Sequence, residues 1–337
     1  MANELRMGLV GAGRHGRYLA PFAREAGAAR LVAVADPSEE ARARAAADCG
    51  FERAYADYRD LLAMEDLDAV LVATPHSQLR PVSLAAIAAG RHVFAEKPLG
   101  LNLREGVEVV AAAREAGVCL QVGYCQRFLE VRTRMKALIE RGGIGEITAV
   151  VAGKGCEPLT GWLAEAAEGG QLLFLGSHLT DQVLWLVGSP VERVYAEMTR
   201  RADTGADETT AYTLRFAGGV RGEVLVSQRV ATYFDYVEVM GSAGRVRAEW
   251  PTMMLHVHSL ALPEYDSPTA IRVVGDSHKP MYVAELAEFL SAIREGREPS
   301  PSGDEGLKTL AVLDAVFESA RMGQPVDLGG ALPLGSA

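Results

Sequence analysis

Residues 5–36 read LRMGLVGAGRHGRYLAPFAREAGAARLVAVAD. Leu5–Val10 is a short apolar run that ends in Gly11-Ala12-Gly13-Arg14-His15-Gly16; Arg14–Ala26 then repeats with a helical period, and Leu31–Ala35 is apolar again. Strand, glycine turn, helix and strand in that order make a βαβ unit, whose two strands lie parallel. In such a turn Gly11 permits the tight bend, Gly13 lets the backbone approach a pyrophosphate, and Gly16 lets the helix pack closely on the strand. The helix N-terminus adds amide donors and the positive end of a dipole. Asp36 ends the second strand, twenty residues after Gly16, where a carboxylate can accept hydrogen bonds from an adenosine ribose. Gly11, Gly13, Arg14, His15, Gly16 and Asp36 are therefore the expected cofactor contacts. The charge of Asp36 repels a 2′-phosphate and favours NAD. Arg14, Ser38 and Arg42 lie close enough in sequence to offset that repulsion, which leaves NADP open.

The same alternation continues outward to residue 123. Apolar runs at Ala69–Ala73, His92–Ala95 and Val118–Val122 read as buried strands, and Ser38–Cys49, Ser77–Ala89 and Leu103–Ala116 as helices. Gly27, Gly50, Gly90 and Gly117 follow the helices, where a residue with positive φ ends them. Residues 1–123 thus read as a doubly wound α/β domain with a parallel sheet covered on both faces. Thr74-Pro75-His76 and Glu96-Lys97-Pro98 follow two of the strands, and ligands of open α/β sheets bind beyond strand carboxyl ends. Pro98 restricts Lys97 to an extended conformation, which aims its ammonium.

Past residue 125 the period changes. A helix over Leu129–Arg141 precedes strand-like runs at Glu146–Lys154, Val191–Thr199, Thr209–Phe216, Arg221–Arg229, Tyr236–Gly241 and Arg245–Trp250, with Ala217-Gly218-Gly219 as a hairpin turn. One helix, Gln171–Val187, interrupts them, and Tyr282–Glu295 and Asp304–Met322 close the domain. Residues 124–328 are expected to form an α+β domain with an open, mostly antiparallel sheet. The Gly- and Pro-containing stretch 329–337 is expected to be a flexible tail.

Composition bounds the function. The 337 residues fit two domains, and 49% hydrophobic with 23% charged residues is an ordinary globular balance. A net charge of -10 opposes binding to a phosphate backbone. No apolar run is long enough to span a membrane, and the strand-like pattern begins at once, with no signal peptide expected. Cys49, Cys119, Cys125 and Cys156 form no CxxC pair, which points to reduced thiols and a cytoplasmic location. His256 and His258 would share a strand face, but no third ligand accompanies them and no metal is expected.

The glycine turn with Asp36, Ala73-Thr74-Pro75, Glu96-Lys97-Pro98, Val122–Phe128, Gly143–Ile147, Gly169-Gly170 and Gly176–Asp181 together resemble the Gfo/Idh/MocA oxidoreductases, the group of glucose-fructose oxidoreductase and inositol dehydrogenase. The resemblance covers nearly the whole chain. It implies a Rossmann domain followed by an α+β domain whose sheet often joins subunits, hence a homo-oligomer, dimer or tetramer. It also implies oxidation of a ring hydroxyl, or reduction of the ketone, of a sugar, glycoside or cyclitol with NAD or NADP. Lys97 then matches the catalytic lysine and His178 the histidine facing the reacting hydroxyl. Asp181 matches a substrate-binding acid, and Arg127 with Tyr124 and Gln126 a segment near the nicotinamide, from which Tyr124 is also expected to reach the substrate. Three departures stand out: Phe174 replaces a usual aspartate, Leu79 stands where a histidine is usual, and the usual asparagine around Cys125 is replaced.

The spacing of Phe174, His178, Asp181 and Trp185 puts them along one helix face. Hydride transfer needs a base for the hydroxyl proton and a cation for the developing alkoxide. Lys97 can supply the cation and His178 the base, and an apolar neighbour at Phe174 favours neutral imidazole. Phe174 also suits a less polar substrate than free inositol, with Trp162, Tyr233, Tyr236, His256 and His258 as further candidates to line the cavity. The alternative from another class is a non-catalytic nucleotide-binding sensor or partner protein on a degenerate enzyme scaffold.

Overall fold

The computed structural model describes residues 4–27, 29–273 and 279–329. In its first part β1 (Leu5–Val10), α1 (Arg14–Glu25), β2 (Ala29–Ala35), α2 (Glu39–Cys49), β3 (Arg53–Tyr55), α3 (Tyr58–Leu62), β4 (Ala69–Val72), α4 (His76–Ala88), β5 (His92–Glu96), α5 (Leu103–Ala116) and β6 (Leu120–Gly123) follow in turn. The sheet order is β3-β2-β1-β4-β5-β6 and every pairing is parallel. All four residues of β4 are buried, as a strand covered on both faces requires. Strand order reverses between β1 and β4, so the loops after these strands border the crevice where such sheets bind ligands. The helices start and stop on local chemistry. The Ser38 and Asn102 side chains accept from the amides of Ala41 and Glu105, and Gly50 and Gly117 end α2 and α5 in the left-handed conformation. The three-residue β3 and the short α3 were not anticipated.

The second part contains α6 (Glu130–Glu140), β7 (Ile147–Gly155), a π-wound turn (Leu172–Gly176) leading into α7 (Ser177–Val187), β8 (Val191–Arg200), β9 (Asp207–Phe216), β10 (Arg221–Ser227), β11 (Phe234–Gly241), β12 (Gly244–Trp250), β13 (Met254–Ser259) and β14 (Thr269–Arg272). Its nine-stranded sheet, completed by β15 (Val326–Asp327), has the order β14-β13-β12-β11-β7-β10-β9-β8-β15. Only β7 and β10 pair in parallel. Burial alternates over the first six residues of β10 and of β11, so one face is core and the other is open. β13, β14 and β15 were not read from the sequence. The helix expected over 171–187 is not uniform: its first turn is π-wound, and only Ser177–Val187 is regular α-helix.

Two helices complete the chain, α8 (Lys279–Glu295) and α9 (Gly303–Met322). The chain divides into two compact units, Met1–Cys125 with Met281–Leu307, and Gln126–Pro280 with Lys308–Ala337. The expectation that α8 closes the second domain is therefore corrected. Phe289 of α8 meets Phe94 of β5 edge-on at 5.8 Å, and Gln121 of β6 donates to the Glu285 carbonyl at 2.9 Å. Met281, Leu286, Phe289 and Leu290 of this helix are all buried. Residues 330–337 of the expected tail lie outside the described residues.

Candidate active site

The glycine turn carries out three separate tasks. Gly11 has φ +96°, and a Cβ there would lie 2.4 Å from the Ala73 carbonyl oxygen. A Cβ at Gly16 would lie 2.1 Å from the Gly11 carbonyl oxygen, so α1 can approach β1 only without a side chain. A Cβ at Gly13 would meet nothing within 4 Å, which leaves open space in front of the N-terminus of α1. Asp36 holds the turn from the next strand: one carboxylate oxygen accepts from Ala12 N at 2.8 Å and the other from Ser38 N at 2.9 Å. The residues expected to soften its charge are engaged locally. Arg42 donates to the Asp36 carbonyl at 2.7 Å, and the Ser38 hydroxyl caps α2. Arg14 is exposed in the first turn of α1.

At the next strand end, Thr74 and Pro75 lead into α4, which begins at His76, a buried residue. The Thr74 hydroxyl is buried and has no hydrogen-bond partner among the described residues. A dinucleotide fits this unit: open space at Gly13, a helix N-terminus behind it, an acid at the end of β2 and an unspent hydroxyl after β4. β5 delivers Glu96 and Lys97, both buried, and the Lys97–Pro98 peptide is cis. Nε2 of His15 lies 2.8 Å from Oε1 of Glu96. Burial pushes the Glu96 carboxyl upward, but His15 and Lys97 outweigh it and hold the group below the usual carboxylate range. Tyr124, expected at the substrate, is fully buried in this first unit.

The second unit carries the other candidates. Cys125–Phe128 is a single 3-10 turn. Arg127 grips Asp181 through two bonds, Nε to Oδ2 at 2.9 Å and Nη2 to Oδ1 at 2.6 Å, with both side chains buried. Gln126 accepts from Gln182, the next residue of α7, and donates to Asp235 at 3.2 Å. Two adjacent turn residues thus hold two adjacent residues of α7, one helical turn beyond His178. The polar ends of Gln126, Arg127 and Asp181 thus bind each other's elements. Asp235 is itself fully buried against Arg132 at 2.6 Å and Lys154 at 2.9 Å.

His178 and Phe174 are both half-buried, as is Trp185, so the expected stripe exists across the π-to-α junction. Asp207, at the start of β9, sets where that helical run begins. Its Oδ2 accepts from Leu172 N at 2.9 Å, and a Cβ at Gly170 would lie 2.2 Å from its Oδ1. Burial pushes the Asp207 carboxyl up to about 6, against the backbone bonds that favour its ionised form. Sequence reasoning missed Asp207, although Gly169-Gly170 was the trace it left.

Other candidates fall elsewhere. Trp162 is exposed on a 3-10 turn, Gly161–Ala164. Tyr236, His256 and His258 lie on the open face of the sheet, opposite the buried Asp235, Val237, Leu255 and Val257. Tyr236 takes a cation–π contact from Arg247 there, at 4.1 Å. Tyr233 packs edge-on against Trp250 at 5.0 Å. No group of three or more His, Cys, Asp or Glu suited to a metal occurs among the described residues.

Residues 5–124 match the oxidoreductase family with an NAD-binding Rossmann fold, and residues 133–247 match the GFO/IDH/MocA C-terminal domain. The chain is 30% identical to a 1,5-anhydro-D-fructose reductase of Ensifer adhaerens, over 96% of this chain and 98% of the relative. It is 27% identical to a myo-inositol 2-dehydrogenase of Thermotoga maritima, over 96% and 98%. Among solved structures it shares its fold with a levoglucosan dehydrogenase in complex with NADH and L-sorbose, at a TM-score of 0.90 and 23% identity over 96% of this chain and 99% of that one. With its glycine turn, its Asp36 and both domains matched, the chain belongs to the GFO/IDH/MocA family of NAD-binding oxidoreductases.

Proposed function

We propose that the protein moves a hydride between nicotinamide and a carbon bearing a hydroxyl or ketone on a sugar-, glycoside- or cyclitol-like substrate. The observation that carries this reading is the retention of both chemical partners, Lys97 at the end of β5 and His178 on the half-open face of α7. Two relatives support the substrate class, since their names specify an inositol and an anhydrofructose. The dinucleotide, when bound, supplies the hydride acceptor or donor; NAD is favoured because Asp36 stands where a 2′-phosphate would be repelled. As the C–H bond gives up its hydride, the hydroxyl O–H gives its proton to His178 and a C=O double bond forms. The Lys97 ammonium stabilises the oxygen while it carries negative charge. The Nδ1 atom of His178 is buried, so Nε2 is the nitrogen we assign to this transfer.

Phe174 stands one turn before His178 and offers an aromatic face. It would pack against the C–H face of a sugar ring, which selects glycosides or deoxygenated sugars over fully hydroxylated cyclitols. Arg127 and Asp181 act as positioning residues in this scheme, because they fix the rotation of α7. We further assign the protein to the cytoplasm, where nicotinamide dinucleotides are held, and to a homo-oligomer through the open sheet face, where Leu225 of β10 is 41% exposed.

The test is steady-state kinetics of Lys97→Met and His178→Gln with a turned-over sugar. Both variants should lose about 10²–10⁴ in kcat with dinucleotide affinity unchanged. A normal rate from His178→Gln beside a slow Lys97→Met would reject the assignment of the base.

A further inference from the structure

We propose that His15 couples dinucleotide binding to the uptake of one proton. The inference rests on the reading that the N-terminus of α1 receives the pyrophosphate, and it adds a titrating group to that place. His15 is the second residue of α1, directly after Gly13 and Arg14. Its Nε2 is fixed 2.8 Å from Glu96, whose side chain is only 10% exposed, while the imidazole itself is 47% exposed. The ring is held edge-on by Tyr282 of α8, with centroids 6.1 Å apart and planes at 63°. The carboxylate has a fixed seat too, since a Cβ at Gly123 would lie 3.2 Å from its Oε1. One nitrogen of the imidazole therefore donates to a stationary anion, and the rest of the ring opens at the glycine turn.

The charges around this ring are few. Glu96 faces it from the end of β5, and Lys97 acts on the same carboxylate. Tyr282 faces it from α8 and itself stands beside Cys125, Glu96 and Glu285. Glu96 remains ionised through the neutral range. Two phosphate charges arriving at the N-terminus of α1 add to Glu96, and both favour the imidazolium form. Imidazole is the side chain that changes charge in the neutral range, whereas the diphosphate diester of a dinucleotide does not. Binding therefore forms one N–H bond on His15 with a proton drawn from the buffer, and no other bond changes. The pair also ties the cofactor turn to the residue next to Lys97, which makes His15 a positioning residue for β5.

Calorimetric titration of the full chain with ADP-ribose and with NADH, in buffers of different ionisation enthalpy, measures the protons taken up. Wild-type protein should take up as much as about half a proton per site between pH 6 and 9, and its affinity should fall about tenfold across that range. His15→Gln keeps a donor toward Glu96 but cannot titrate. It should bind both ligands with no buffer dependence and less than about a twofold change in affinity with pH. Equal uptake in wild type and His15→Gln overturns the inference while leaving the cofactor site intact, and so does uptake with NADH but not with ADP-ribose. Binding of neither ligand overturns the cofactor reading itself. If His15→Gln does not fold, the wild-type His15 ring proton resonances decide. A shift toward the imidazolium position on adding ADP-ribose at constant pH supports the coupling, and an unchanged position overturns it.

Discussion

Replacing Gly13 with alanine separates folding from cofactor binding in a way that replacing its neighbours cannot. Gly13 has φ −62° and ψ −177°, a conformation open to any residue, and the added methyl would meet no atom within 4 Å. Alanine is a poorer N-cap than glycine by about 0.5–1 kcal/mol, and it restricts the unfolded chain by a similar amount, so the two effects nearly cancel. The melting temperature should therefore stay within about 2 °C of wild type. The methyl instead fills the space through which a pyrophosphate reaches the amides of α1. Loss of one charge-assisted hydrogen bond is worth about 1.5–3 kcal/mol, which weakens NADH binding by about 10- to 150-fold. Gly16→Ala behaves differently, because its methyl meets the Gly11 carbonyl oxygen at 2.1 Å. Overpacking of that kind costs about 2–3 kcal/mol and should lower the melting temperature by about 4–12 °C. Thermal unfolding followed by circular dichroism, paired with calorimetric NADH titration, reads both quantities. Wild-type NADH affinity in a well-folded Gly13→Ala protein would refute the assignment of this turn to the cofactor.

Asp181→Asn removes one charge of the buried Arg127 pair and should cost about 3–5 kcal/mol in urea unfolding, with the double variant Arg127→Met/Asp181→Leu recovering much of it. Burial holds the Asp207 carboxyl at about 6 in the folded chain, above the ordinary aspartate value of 3.8. Its contribution to stability is therefore present below about pH 4 and lost as pH rises through 6. Asp207→Asn keeps an acceptor for Leu172 and abolishes that fall, so its unfolding free energy relative to wild type should rise by about 2.4 kcal/mol between pH 4 and 7. Leu225→Glu on the open face of the nine-stranded sheet should shift the protein toward monomer in light scattering, with the circular dichroism spectrum unchanged.

The cofactor half was legible because its determinants are consecutive in sequence. Strand, three glycines, helix and acid all fall within residues 5–36, and Gly11 and Gly16 each meet a steric demand that local pattern can signal. The place of Lys97, directly after β5 and before a proline, was legible for the same reason. What could not be read depends on partners remote in sequence. Asp181 meets Arg127 across 54 residues, and its carboxylate looked available only while that guanidinium was unplaced. The π-wound turn before α7 depends on Asp207, 35 residues beyond Leu172. α8 has an apolar face suited to either sheet, and nothing local tells which one takes it. β3 and β15, with three and two residues, are too short for an alternation to show. His256 and His258 do share a face of β13, and it is the open one.

The central claim is hydride transfer to nicotinamide from a sugar- or cyclitol-like carbon, served by Lys97. Its most direct measurement is absorbance at 340 nm when purified protein and NAD are mixed with a panel of inositols, anhydro sugars, glycosides and aldoses, with Lys97→Met run alongside. At least one compound should produce NADH with the wild-type protein, and the same compound should be slower by about 10² or more with Lys97→Met. Equal rates in the two proteins, or no NADH from any member of the panel although NADH itself binds, would contradict the account.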